Sequence, residues 1–249
     1  MAPPAAFTDL MSRLGVELEP GDVDRLGAYL ELLLETNRRF NLTSVTDPEQ
    51  AWVRHIGDSL SLVPYLVTAQ ATSAIDVGSG GGLPGLPLAI ALSGAGAGAG
   101  VRFTLVEATG KKAVFLADAA RALGLDNVTV INDRAETLGQ DHQRHRERYD
   151  VAIARAVGRL PVLLELTVPL VKVGGHVLAI KGEQAAAEID EAKPALHLLH
   201  AEVANVVRGE TGTIVVIEKR RKTPRTYPRR PGEPKRSPLG MRHDDRRLR

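Results

Sequence analysis

The stretch AIDVGSGGGLPGLPLAI, residues 74–90, decides how this chain is read. An apolar run ends at Val77, glycine fills four of the next five positions, and a second apolar run follows Pro84. Glycine at this density weakens local structure unless something must approach the backbone closely. Two signatures overlap. From Gly80, GGGLPG satisfies the GxGxxG dinucleotide fingerprint; from Asp76, DVGSGGG is an acidic residue closing a strand, followed by glycines at alternate positions. The fingerprint would put Pro84 and Gly85 where its helix should start, and with the strand ending at Val77 the tight turn falls on Gly78, not Gly80. Register therefore favours the second reading, with Gly78, Ser79, Gly80 and Gly82 in the ligand turn. A phosphate-cradling P-loop needs a Gly-Lys-Ser/Thr ending, and Leu83-Pro84 after Gly82 excludes it.

The next apolar run, in RFTLVEATGKK at 102–112, ends in Glu107, an acid placed to accept hydrogen bonds from two ribose hydroxyls. After VTVIN at 128–132 come Asp133, Arg134, Ala135 and Glu136, at a position suited to an adenine. Ribose and adenine contacts without a pyrophosphate device fit S-adenosylmethionine. A nicotinamide cofactor has the same ribose, so a nicotinamide-dependent oxidoreductase is the alternative.

Apolar spacing predicts helices before residue 70, carried by Phe7, Leu10, Met11 and Leu14, then by Val23, Leu26, Leu30 and Leu33. A third helix starts at an Asp47 cap with Pro48 in its first turn and Gln50 completing a capping box. Beyond Ala74 the pattern becomes strand-helix-strand, with strands expected at 74–77, 102–106, 128–131, 150–154 and 176–180. Helices are expected near 84–92, 110–123, 134–138, 160–171 and 184–193. The runs 202–207 and 213–218 flank GETG, too short for a crossover helix, so they predict an antiparallel hairpin. The expected fold is α/β: a class I, Rossmann-like methyltransferase with a seven-stranded, mostly parallel sheet and a helical N-terminal subdomain. The predicted divisions are 1–70 (helical), 71–219 (methyltransferase domain) and 220–249 (basic tail).

With 249 residues, 43% apolar and 25% charged, the chain can bury a substantial core. No basic n-region precedes an apolar stretch and no run reaches membrane-spanning length, which predicts a cytoplasmic protein with no membrane partner. The absence of cysteine excludes disulfides, thiolate metal sites and cysteine nucleophiles, and no metal is expected. The net charge of +2 conceals an asymmetry. Residues 219–249 hold 13 Lys or Arg against 3 Asp or Glu, leaving 19 against 27 in residues 1–218. That tail is rich in Pro and Arg and poor in apolar residues, so it reads either as a solvated terminus without fixed structure or as an arm for phosphate backbones. The GAGAGAG run, 94–100, reads as a flexible connector.

Several separated motifs now agree in order and spacing: NLTSVTDPEQAWVRHIGDSL, DVGSGGGLPGLPLAI, ARA at 154–156 and LAIKG at 178–182. Over about residues 8–219 the chain resembles the bacterial small-subunit ribosomal RNA guanine-N7-methyltransferases, once called glucose-inhibited division protein B. The resemblance implies methylation of N7 of one guanine in the 530 loop of 16S ribosomal RNA, on the naked RNA or a small ribosomal subunit, with S-adenosylmethionine as donor. It also implies cofactor contacts at Gly78, Leu83, Ala135, Glu136 and Arg155, with Glu107 where the family usually has an aspartate. Asn41 and the His55, Asp58, Ser59 set belong to the family pattern and are expected to shape the wall between cofactor and RNA.

Guanine N7 carries an in-plane lone pair, so attack on a sulfonium methyl needs no general base, and alignment supplies much of the acceleration. Arg155, following the fourth strand, is the residue expected to reach guanine O6 or a phosphate. Arg134 and Lys181, after the third and fifth strands, are expected to make phosphate or base contacts. Arg54, His55 and Asp58 by helical spacing alone form a helix-surface network. A noncatalytic RNA-binding protein with a relic pocket is the third reading.

Overall fold

A computed structural model describes residues 1–94, 100–209 and 212–240. Among the described residues seven strands form one sheet in the order β3-β2-β1-β4-β5-β7-β6, parallel except for an antiparallel C-terminal hairpin. The chain packs as two compact units, Met1–Asn132 and Asp133–Arg249.

The first unit opens with α1 (Ala5–Leu14), which buries Phe7, Leu10 and Met11 and stops at Gly15, whose left-handed backbone returns its N–H to Met11 and Ser12. Helix α2 (Asp22–Asn37) buries Leu26, Tyr29, Leu30 and Leu33. The Asp47 cap is present: its Oδ1 accepts from the Gln50 N–H at 2.8 Å at the start of α3 (Pro48–Ala51). The predicted third helix does not continue regularly. Residues Trp52–Gly57 wind as a π-helical stretch before α4 (Asp58–Leu60) and α5 (Val63–Thr68). A Cβ at Gly57 would lie 2.6 Å from Leu10 Cδ2, so α1 approaches this stretch where there is no side chain. The wider winding also carries Trp52, 1% exposed, against Phe7 with ring centroids 4.8 Å apart.

Strand β1 (Ser73–Val77) then pairs in parallel with β2 (Arg102–Val106), and β2 with β3 (Val128–Ile131). Helices α6 (Gly85–Ala91) and α7 (Gly110–Ala122) follow the first two strands. Tyr29 of α2 donates its hydroxyl to the Gly81 carbonyl at 2.8 Å, and a Cβ at Gly81 would meet Leu33 Cδ1 at 2.8 Å. The N-terminal helices thus pack directly against the glycine turn. Most of the GAGAGAG connector lies outside the described residues.

The second unit runs through α8 (Ala135–Gln140), β4 (Tyr149–Arg155), α9 (Leu160–Thr167), β5 (Val171–Lys181), α10 (Ala185–Leu199), β6 (Ala201–Arg208), β7 (Thr213–Lys219) and α11 (Glu233–Arg236). β4 and β5 are parallel; β7 pairs antiparallel with both β5 and β6. Helix α9 ends four residues before the predicted 171 and β5 starts five before the predicted 176. Pro169, two residues past the helix end, stops α9, and the buried Lys219 ammonium then donates to the carbonyls of Val168 and Val171 on either side of it. The centre of the GETG turn lies outside the described residues.

The predicted structureless tail is corrected over 220–240. This segment is folded onto the second unit by charged side chains that reach its backbone, with Pro228, Pro234 and Leu239 buried beside them. Arg146, 5% exposed, donates to the carbonyls of Gly139, Thr223, Pro224 and Tyr227 at 2.6–3.2 Å. Arg229 forks onto the fully buried Glu165 carboxylate with donor distances of 2.8 and 2.6 Å. Residues 241–249 lie outside the described residues.

Candidate functional site

In the first unit the turn from β1 to α6 is built as the register argument expects, with Gly78, Gly80 and Gly82 in the left-handed region at φ 71°, 57° and 94°. Gly82 has a second constraint, since a Cβ there would lie 2.5 Å from Leu86 Cδ1. The turn satisfies its own backbone. Gly78 and Ser79 donate to the Val106 carbonyl at 2.8 and 3.1 Å, and Gly82 and Leu83 to the Ser79 carbonyl at 2.7 and 3.2 Å. Gly80 donates to Glu107 Oε2 at 3.0 Å. An anion cradle requires such N–H groups to face the ligand. Here five are already engaged.

Glu107 is therefore more than a strand-end acid. It is 8% exposed, and its other oxygen accepts from the Thr109 N–H at 2.7 Å, so one carboxylate ties the glycine turn to the start of α7. An ionised carboxylate has about four lone-pair positions, so capacity for two ribose hydroxyls is retained. A Cβ at Gly80 would meet nothing nearer than Gly78 O at 3.8 Å, so the backbone beside the carboxylate borders open space.

Two side chains of the turn point inward. Ser79, 2% exposed, donates its hydroxyl to the Asp76 carbonyl at 2.9 Å, so the side chain serves the turn and not a ligand. Buried Asp76, absent from the predicted site, accepts from the Gly85 N–H at 3.1 Å and holds the first turn of α6. The strand-end acid in DVGSGGG was the available signal for it.

Asn41 is exposed on the loop after α2, and His55 is 3% exposed. His55 Nε2 lies 2.6 Å from Thr43 Oγ1, while Asn37 Oδ1 accepts from the Leu42 and Thr43 N–H groups. The π-helical stretch carries the His55 ring inward, where it meets Thr43 of the 41–45 loop.

In the second unit Arg134 is exposed at the head of α8, its own N–H donating to Asp133 Oδ1. Ala135 and Glu136 are buried, and Glu136 Oε1 accepts from the Gly232 N–H at 2.8 Å. The C-terminal segment thus reaches a residue the resemblance assigns to the cofactor. Arg155 ends β4, half-buried, opposite Ile180 of β5. Ala156 follows at φ 57°, a strained conformation for a residue with a Cβ, of the kind that accumulates at functional sites. Lys181 is corrected from a direct phosphate or base contact. It is 8% exposed, and its ammonium donates to the Gly158 carbonyl and pairs with Glu188, both at 2.7 Å. Glu188 also accepts from the Leu160 N–H, so Lys181 fixes the 156–160 loop that follows Arg155.

The cluster beneath the C-terminal segment is electrostatically distinctive. Burial pushes the Lys219 ammonium down to about 8, against the pull of Glu147 2.8 Å away. Burial raises the Glu147 carboxyl, but the Lys219 hydrogen bond and charge outweigh it and leave the group below its ordinary value. Burial also lowers Arg146. Among the described residues no helix is long and apolar enough to cross a membrane, and no group of three or more His, Asp or Glu could hold a metal ion.

The model of the rRNA small subunit methyltransferase G family, GidB, matches residues 22–217. The chain belongs to that family. Among its relatives, ribosomal RNA small subunit methyltransferase G of Sorangium cellulosum (strain So ce56) is 44% identical over 231 residues, 92% of this chain and 93% of that one. The protein of the same name from Bacillus subtilis (strain 168) is 36% identical over 239 residues, 94% and 97% of the two chains. Solved structures share the Rossmann-like class I methyltransferase fold. Cofactor-bound Rv0187 from MTB superposes with a TM-score of 0.58 at 18% identity over 89% of this chain and 99% of its own. The O-methyltransferase from Bacillus cereus in complex with SAH gives 0.55 at 20% identity over 77% and 91%. The methyltransferase G family model ends at residue 217, just before the segment clamped by Arg146 and Arg229.

Proposed function

We propose that this chain transfers a methyl group from S-adenosyl-L-methionine to N7 of a guanine in the 530 loop of 16S ribosomal RNA. The observation that carries the donor is Glu107, a buried carboxylate with unused acceptor capacity beside a glycine turn whose amides are engaged internally. That donor set suits ribose hydroxyls and offers little to a pyrophosphate, which counts against the nicotinamide alternative. Family membership and the relatives' names support ribosomal RNA of the small subunit as substrate.

When bound, S-adenosylmethionine supplies an electrophilic methyl on a sulfonium centre. The chain's own part is to bind, orient and exclude. Glu107 accepts the ribose hydroxyls, with Gly78 and Leu83 shaping the turn and Ala135 contributing backbone. Arg155 donates to guanine O6, which orients the base while leaving the N7 lone pair unprotonated and available. Lys181 acts one step removed, by fixing the loop after Arg155. Exposed Arg134 contacts RNA phosphate. No residue removes a proton, so the contribution of Arg155 is positional.

The test is to map N7-methylguanine by borohydride and aniline cleavage in small-subunit RNA from cells with and without the gene. Loss of one cleavage in the 530 loop is expected; an unchanged pattern overturns the assignment. With purified chain and labelled donor, Arg155→Ala is expected to lower transfer about 100-fold, or ~3 kcal/mol of transition-state stabilisation, far more than it lowers folding stability. Near wild-type turnover would remove Arg155 from the site.

A further inference from the structure

Helix α8 carries Ala135 and Glu136, yet it has only six residues and no side-chain cap at Arg134. Helices that short do not hold themselves in water. Its support comes from the C-terminal segment, at both ends. In the first turn the Glu136 carboxylate accepts the Gly232 N–H at 2.8 Å. In the last turn Gln140 donates to the Pro228 carbonyl at 3.0 Å, and a Cβ at Gly139 would lie 2.7 Å from Pro228 Cγ, so helix and segment touch where no side chain intervenes. Arg146 donates one nitrogen to both the Gly139 and Tyr227 carbonyls, stitching the helix end to the segment a third time. The segment is anchored independently on α9, through the fork from Arg229 to buried Glu165 and the Arg229 N–H to the same carboxylate at 2.9 Å.

We infer that residues 223–232 are a positioning element for the cofactor turn at Ala135–Glu136, so that the basic C-terminal segment sets affinity for the methyl donor. The inference rests on the cofactor reading above. Its physical content is preorganisation: a turn held by Gly232, Pro228 and Arg146 is already ordered when the adenosyl group arrives, whereas a released turn must be ordered by the ligand itself. The role of Glu136 follows from where its carboxylate points. The oxygen that accepts from Gly232 faces the segment, so the side chain orients α8 and, through it, the backbone of 135–136. A Gln at this position keeps a carbonyl acceptor for the same N–H, whereas Ala does not.

Calorimetric titration of the full chain with S-adenosylhomocysteine, in the absence of RNA, tests this. Glu136→Ala is expected to weaken binding about tenfold and Glu136→Gln to stay within twofold of wild type. Arg229→Lys, which keeps the charge but loses the fork on Glu165, is expected to weaken binding about threefold although it touches none of the contacts to α8 named above. In steady-state transfer both weakened variants are expected to raise KM for the donor and to leave kcat within threefold. If Glu136→Ala fails to fold, Arg229→Lys decides the question alone. A folded Arg229→Lys that binds S-adenosylhomocysteine as tightly as wild type overturns the inference and leaves the cofactor reading intact. A wild-type chain that does not bind S-adenosylhomocysteine overturns both.

Discussion

The glycine turn of the first unit and the C-terminal segment of the second order a polar stretch of chain by opposite means. The turn, residues 78–83, lacks long polar side chains and satisfies its backbone with its own carbonyls, those of β2, and one carboxylate. The segment, residues 220–240, is crowded with Pro and Arg, and its backbone is satisfied by side chains reaching in from elsewhere, chiefly Arg146, Glu147 and Glu136. One region is held by shape and absent side chains, the other by buried charge. Composition speaks clearly about the first. It misleads about the second, because the groups that order the segment lie 64 to 96 residues before the positions they hold.

That contrast can be broken where each region is most exposed to a single change. The largest stability loss is expected for Arg146→Leu, which leaves four buried or half-buried carbonyls without their donor. Denaturant unfolding should show a loss of roughly 3 kcal/mol or more, and a loss under about 1 kcal/mol would mean that water replaces the guanidinium readily. Where the turn leads into α6, Gly85→Ala places a Cβ 2.3 Å from Leu105 Cδ2 and 2.7 Å from Asp76 Oδ2. It should cost about 2–3 kcal/mol. Gly80→Ala meets open space and should cost only the left-handed backbone, about 1 kcal/mol. If the two alanines proved equally costly, the distinction between a packed and an open face of the turn would be wrong.

A subtler difference concerns charge that faces outward. Arg221, Lys222, Arg225 and Arg230 are exposed on the fixed segment. Changing these four to Gln should make the salt dependence of RNA binding shallower by up to ~3 in log-log slope while S-adenosylhomocysteine affinity is unchanged. An unaltered slope would leave the segment with its positioning role alone. This separates two functions that truncation would remove together.

A further difference is one of pH, and only the charged region should show it. Lys219 is held at about 8, below its ordinary 10.5, so between those values the unfolded chain keeps a proton that the folded chain has lost. Stability from this group therefore rises with pH across that window, while the depressed Glu147 contributes fully above its ordinary carboxyl range and loses that contribution on acidification. Comparing wild type with Lys219→Met from pH 7 to 10.5 should reveal a pH-dependent difference on the order of 3 kcal/mol. A difference that is flat with pH would mean Lys219 keeps its proton throughout.

Much of the architecture was legible because strand and helix periods are local. β1, β2 and β3 lie within one residue of their expected bounds, and Gly78 takes the tight turn that register assigned to it. Glu107 was legible as a strand-end acid, though its grip on Gly80 was not. The π-helical stretch at Trp52–Gly57 was hidden because nothing in WVRHIG announces that Leu10 will press on Gly57. Lys181 misled for a similar reason: a lysine at a strand end looks solvated until Gly158 and Glu188 close over it.

The order of the elements, the glycine turn and the acids at the ends of β1 and β2 follow from residues close together in the chain, because periodicity and backbone conformation are decided over a few positions. The fate of buried charge was decided only in three dimensions. Whether an Arg, Lys or Glu faces water or locks a distant backbone depends on which carbonyls and carboxylates the fold delivers to it, and Arg146, Lys219 and Glu136 each meet a partner as far as 81, 72 and 96 residues away.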